Sequence, residues 1–247
     1  MNAKTDAVEI CSFGSGSEIP ILLFHEGLGS VALWRDFPEK LAETTGHRVV
    51  AWSRKGYGNS GPFDGPYGLD FMHLEADAAA QLMTELAIER AHLFGHSDGA
   101  SIALLLAARH PARVVSLILE APHVFVEPIC TAAITELKVG SAQLLHGLGK
   151  YHRDATAIFR QWFSIWTRPD FSSWNIEGAL IDVVCPALLI QGEDDEYGTF
   201  EQLDRISARI ADVRQLRLPN CGHSAHRDHE AAVLSASTAF LTEFAND

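Results

Sequence analysis

The run Phe94-Gly95-His96-Ser97-Asp98-Gly99 sets a serine between spaced glycines at the point where an apolar stretch gives way to a helix-forming one. A serine held on such a sharp turn presents its hydroxyl above the sheet, where it can attack a carbonyl carbon. A hydroxyl is a poor nucleophile at neutral pH, so the chemistry also needs a histidine to take the proton and a carboxylate to orient that histidine. Both residue types follow later apolar runs. Leu188-Leu189-Ile190-Gln191 leads into the carboxylate-rich Gly192-Glu193-Asp194-Asp195-Glu196-Tyr197-Gly198, and Leu216-Arg217-Leu218-Pro219 leads into Asn220-Cys221-Gly222-His223-Ser224.

These stretches can cooperate only if the strands before them share one edge, as the carboxyl ends of a parallel sheet do. The chain has the required rhythm of strand-like and helical runs, which predicts an α/β fold with helices on both faces of a mostly parallel sheet. Ala7 to Phe13 reads as an edge strand, and Ile19 to His25 and Arg48 to Trp52 as buried strands around a helix that begins near Ser30 or Val31. A longer helix is expected over Asp70 to Glu89, then a strand from Ala91 to Phe94 and the Ser97 turn. Val114 to Leu119, Pro186 to Gln191 and Val213 to Leu218 continue the sheet, and Ala225 to Phe244 reads as the closing helix. Residues 124–183 break the rhythm and are helical by pattern. They are expected to form a cap inserted into a core made of 1–123 and 184–247.

The length of 247 residues, 47% hydrophobic and 21% charged, fits one catalytic domain with an insertion. A net charge of −13 repels polyanions, which argues against nucleic acid and anionic membrane surfaces as partners and for a small-molecule substrate. Met1 to Asp6 carries no apolar run behind its charges, and no stretch is long enough to span a bilayer. The four cysteines, Cys11, Cys130, Cys185 and Cys221, lack Cys-x-x-Cys spacing and read as reduced thiols of a cytoplasmic protein. Either a monomer or a homo-oligomer fits.

With these loops in order, the chain resembles the α/β-hydrolase superfamily over essentially its whole length. His25-Glu26-Gly27-Leu28-Gly29-Ser30 resembles the oxyanion loop, and Lys55-Gly56-Tyr57-Gly58-Asn59-Ser60 the Arg-Gly-x-Gly-x-Ser turn. Gly192-x-x-Asp195 resembles the acid loop and Gly222-His223 the histidine loop. The resemblance implies an α/β-hydrolase fold with a helical cap, Ser97 as nucleophile, His223 as base and then acid, and Asp195 as the orienting carboxylate. It also implies an oxyanion hole from the backbone N–H groups of Gly27 and Asp98. Two departures stand out. Glu26 replaces the usual glycine after His25, where its charge could disfavour anionic substrates or pair with a cationic or hydroxyl group. Ser53 and Lys55 replace the usual Asp and Arg, which is expected to affect only local packing.

Some assignments have rivals. Ser97 could simply cap the following helix. Asp194 and Glu120 compete with Asp195, and His226 and His229 with His223; the latter cluster, with Asp228, lacks a metal-binding motif, so no metal is expected, and no step requires a cofactor. Phe159, Trp162, Phe163 and Trp166 lie on one helical face, most of them as packing, while Trp162, Trp166, His123 and Glu26 are candidates for touching substrate. The expected activity is hydrolysis of a small carboxylic ester, thioester or lactone through an acyl-enzyme. Carbon-carbon cleavage of a dienoic ring-fission product is the alternative, weakened by a shortage of evident cationic residues in the cap. A non-catalytic ligand-binding member of the fold is the third.

Overall fold

The computed structural model describes residues 8–16, 19–138 and 140–244; Met1 to Ala7, on which the leader reading and the start of the first strand rest, lie outside them. Apolar strand residues alternate between two cores, as side chains on successive residues of a pleated strand must. In β2 (Ile21–Phe24), Leu22 and Phe24 face one core while Ile21 and Leu23 face the other. The same alternation separates Leu93 from Phe94 in β4 (Ala91–His96) and Leu117 from Ile118 in β5 (Val114–Glu120). Each fully buried Leu, Ile or Phe of this kind contributes roughly 1.5–3 kcal/mol.

Seven strands run in the order β1-β3-β2-β4-β5-β6-β7, with β1 (Glu9–Phe13) antiparallel on β3 (Val49–Ser53) and the remaining neighbours parallel. β6 (Ala187–Gly192) and β7 (Val213–Leu218) complete the far side. Helices α2 (Phe71–Glu85) and α3 (Asp98–Arg109) pack together on one face. On the other face α1 (Phe37–Thr45) meets the last helix of the chain. The strand order reverses between β2 and β4, so the loops after these strands open onto the crevice where α/β sheets place ligands.

Between β5 and β6 lie α4 (Pro128–Leu137), α5 (Ser141–Leu148), α6 (Ala155–Trp166) and two short 3-10 segments. A Phe125–Asn175 bridge closes the base of this stretch, and its final turn, Glu177–Asp182, runs back along α3.

Helix α2 ends at Glu85 rather than Glu89, and larger departures lie elsewhere. Val31–Trp34 is a 3-10 turn, and the helix begins only at Phe37, where Pro38 suits a first turn that needs no N–H. The closing helix is broken at His229 into α8 (Ala225–Asp228) and α9 (Glu230–Thr242). The short α7 (Glu201–Ser207) has no counterpart in the sequence reading; it buries Gln202, Leu203 and Ile206.

The Ser97 turn is tight enough to exclude any side chain at its glycines. A Cβ on Gly95 would lie 2.5 Å from the Gly99 carbonyl oxygen, and one on Gly99 would lie 2.1 Å from that of Phe24. Because both obstacles are backbone, Gly99→Ala is expected to destabilise the fold by about 3 kcal/mol or more, the upper end for overpacking. A urea titration checks this, and an unchanged midpoint would contradict the packing described.

Candidate functional site

Ser97 adopts φ 56° and ψ −120°, a conformation that costs an L-residue about 1–3 kcal/mol. Its backbone is well anchored: the N–H donates to Glu120 O at 2.9 Å, and its carbonyl accepts from Ala100 and Ser101. Its side chain makes no capping bond to α3, so the hydroxyl is free to face the adjoining cavity.

His223 lines the same cavity. Its Nδ1 lies 2.8 Å from Asp195 Oδ1, and since a carboxylate can only accept, Nδ1 carries the proton and Nε2 is left as the basic nitrogen. Asp195 Oδ1 also accepts from the Tyr197 N–H at 2.9 Å, and Oδ2 from Gln191 Nε2 at 3.2 Å. Burial works to raise the Asp195 pKa, but His223 and the Tyr197 N–H outweigh it and hold the carboxyl below its ordinary value. Asp194 is exposed. Glu120, at the end of β5, is bonded to His226 through both its N–H (3.2 Å) and its Nδ1 (2.8 Å). Of the three candidate carboxylates, Asp195 alone hydrogen-bonds His223.

Gly27 and Asp98 lie at the cavity wall, and their N–H groups have no protein partner among the described residues. The Gly27 loop is held from below. His25 Nδ1 donates to Glu26 O at 2.7 Å, His25 Nε2 accepts from the Arg54 N–H at 3.1 Å, and Arg54 NH2 donates to Glu26 O at 3.0 Å. Burial, reinforced by Arg54, keeps His25 neutral with a pKa well below its ordinary value. His152 adds a tie from the segment after α5, accepting from Gly58 N and donating to Leu28 O.

The substitutions at Ser53 and Lys55 do more than adjust packing. Ser53 Oγ accepts from Val31 N at 2.9 Å and donates to Glu9 Oε2 at 2.7 Å. Glu9 also receives Asn59 N and Nδ2, supplying from β1 the carboxylate absent at position 53. The buried cation is Arg54, whereas Lys55 pairs with Asp64 at the surface.

The cavity has a volume of about 640 Å³, with Cys130, Ile134, Leu144 and Leu148 on its apolar wall. Trp162 and Trp166 of α6 both line it. Trp166 Nε1 donates to Asp98 Oδ1 at 3.2 Å, leaving the buried Asp98 Oδ2 without a partner. Burial pushes the Asp98 carboxyl up to about 6, against the pull of Arg54. His123 is buried at the wall, its ring 6.1 Å from that of His223. Burial and the neighbouring His223 lower its pKa to about 4, so it is neutral at physiological pH. Two cations missed in the sequence, Lys150 and Arg227, also line the cavity. Nothing in their local pattern signals this, because the fold brings them there from separate segments.

Glu26 lines the cavity, with its carboxylate between His96 and Arg227. Its Oε2 lies 3.7 Å from His96 Nδ1, and its Oε1 lies 3.9 Å from Arg227. His226, Asp228 and His229 do not converge: Asp228 accepts from Gly222 N and His229 bonds Asn220 O. His96, Glu120 and His226 do approach within 4.8 Å of one another, but their facing atoms are engaged in hydrogen bonds.

No helix among the described residues is long and apolar enough to cross a membrane. A family model described as the alpha/beta hydrolase fold matches residues 19–156. The chain is 28% identical to the serine hydrolase BPHL of Homo sapiens over 185 residues, covering 72% of this chain and 64% of that protein, somewhat under two thirds of its length. It is 27% identical over 256 residues to a 2-hydroxymuconate semialdehyde hydrolase of Pseudomonas sp. (strain CF600), covering 93% and 89% of the two chains. Among solved structures, the enol-lactonase from Burkholderia xenovorans LB400 superposes with a TM-score of 0.74 at 22% identity, covering 95% of this chain and 96% of that one. The strand order, the loops at the carboxyl edge and a family match over more than half of its length place this chain in the alpha/beta hydrolase fold family.

Proposed function

We propose that the chain is a serine hydrolase that cleaves a small carboxylic ester, thioester or lactone through an acyl-enzyme. One observation carries the reading: an unspent serine hydroxyl on a strained turn faces the same cavity as a histidine oriented by a charged, buried aspartate. Ser97 Oγ attacks the substrate carbonyl while His223 Nε2 takes its proton. The oxyanion forms against the N–H groups of Gly27 and Asp98, each worth about 3 kcal/mol in the transition state. His223 returns the proton to the leaving alcohol or thiol, and the resulting imidazolium is stabilised by Asp195. Water then attacks the acyl-enzyme by the same route, giving the acid and restoring the serine.

Residues 124–183 act in this reading as a cap that encloses the acyl group. A cavity of about 640 Å³ suits a small organic molecule. Its wall is mainly apolar, with Asp98 beside Ser97.

A screen of esters, thioesters and lactones of graded acyl length tests the reading. The expected result is saturable turnover of at least one of these classes, lost in Ser97→Ala; turnover that survives that substitution would overturn it. Lys150 and Arg227 at the cavity wall favour a second reading, carbon-carbon hydrolysis of a substrate carrying a carboxylate. A ring-fission dienoate assayed beside an aryl ester separates the two.

A further inference from the structure

We propose that His96 is a positioning residue: its ring, set between Glu26 and Glu120, ties the Gly27 loop, the Ser97 turn and the His223 loop into one arrangement. The proposal rests on the serine-hydrolase reading and assigns a role to the glutamate that stands where the family's loop usually has glycine. His96 Nε2 lies 2.9 Å from the carbonyl oxygen of His223, an acceptor, so Nε2 carries a proton. Its Nδ1 has no hydrogen-bond partner and faces Glu26 Oε2 at 3.7 Å. Room for that carboxylate exists because residue 29 is glycine: a Cβ there would lie 2.2 Å from Glu26 Oε2. The second carboxylate, Glu120 Oε1, stands 3.8 Å from Nε2 and is itself bonded to His226 of α8.

The charged and titratable groups around His96 come from the segments after β2 and β7 and from the end of β5. Glu26 follows β2, with Arg227 of α8 beyond it; Glu120 ends β5; His226 lies at 5.1 Å and His223 at 5.0 Å, ring to ring. His123 interacts from the opposite wall. Burial disfavours charge on the ring, but Glu120, Glu26 and the His223 carbonyl outweigh it and raise the His96 pKa to about 9. At neutral pH the ring is therefore an imidazolium between two carboxylates. Its loss of a proton leaves Glu26 and Glu120 without their shared counter-charge, and the loops that carry Gly27 and His223 lose their common tie.

The sign of the pH effect follows. A folded-state pKa above the unfolded value of about 6.5 contributes stability that is complete below about 6.5 and is lost as pH rises through about 9.

The test is the rate at which a fluorophosphonate labels Ser97 between about pH 6 and about pH 10, in the unaltered chain and in Glu26→Gln. Histidine ring resonances recorded by NMR on the same samples report whether His96 titrates. We expect an alkaline loss of labelling centred near 9 in the unaltered chain, matched by the titration of one buried histidine. Glu26→Gln should move both midpoints down by at least about one unit and slow labelling at neutral pH about ten- to a hundredfold, the effect of a displacement on the order of 1 Å. Labelling intact but with an unchanged profile in Glu26→Gln, or a His96 midpoint near 6.5 in the unaltered chain, would overturn this inference alone. No labelling of the unaltered chain at any pH would overturn the serine-hydrolase reading and this inference with it.

Discussion

Ser97→Ala is expected to lower turnover of the best ester by about a million-fold while leaving the fold in place. The size follows from what is removed. Without Oγ there is no acyl-enzyme, and only the N–H groups of Gly27 and Asp98 and the binding cavity remain to assist water, worth roughly 10³–10⁴ over the uncatalysed reaction. The fold should survive because the side chain makes no hydrogen bond to α3, while the anchoring bonds of residue 97 are made by its backbone. Alanine meets the same positive φ that serine already tolerates. The comparison to make is kcat/KM beside the circular dichroism spectrum and the urea midpoint. A loss of less than about tenfold in a well-folded variant would mean that the nucleophile is elsewhere or is water.

Asp195→Asn carries the second largest effect, about 10⁴-fold in kcat. The carboxylate can only accept, so it keeps the proton of His223 on Nδ1. An amide has no charge to stabilise the imidazolium and only one acceptor: with its oxygen beside the Tyr197 N–H and His223 its NH2 is set against the Gln191 Nε2 donor, and the reverse orientation turns an NH2 group toward His223. That group favours the opposite tautomer, in which Nε2 already holds a proton and cannot take the one from Ser97. Glu120→Gln is the informative partner. Glu120 bonds His226 rather than His223 and acts through His96, so its loss should cost about ten- to a hundredfold, with reduced stability below the His96 pKa. If Glu120→Gln proves as damaging to kcat as Asp195→Asn, the assignment of the orienting carboxylate fails.

Much of the scaffold was legible because its signals are local. A short continuous apolar run bounded by turn residues marks a buried strand, as Val114 to Leu119 does for β5, and β7 spans the expected Val213–Leu218. The candidate nucleophile, acid and histidine follow strands, and a parallel sheet must bring such loops to one edge. What escaped notice depends on distance in the chain. Glu26 was visible as a departure, but its partner His96 lies two helix-strand units away, and no sequence pattern joins them. Glu9 replaces a carboxylate missing at Ser53 from another strand, and His152 reaches the Gly27 loop from beyond α5. Lys150 and Arg227 reach the cavity from segments far apart in the chain, and only Lys150 belongs to 124–183. The helix boundaries were missed for a different reason. Val31–Trp34 has the apolar content of a helix but only one turn of it, and the break at His229 separates the polar turn Ala225–Asp228 from the apolar α9.

The central claim is that Ser97 is an activated nucleophile, and the most direct measurement is the mass of the protein after exposure to a fluorophosphonate, followed by mapping of the modified peptide. One adduct per chain is expected, on Ser97, at a rate that falls sharply in Asp195→Asn and vanishes in Ser97→Ala. A folded chain that takes up no label, or takes it up equally well without the Ser97 hydroxyl, would contradict the account.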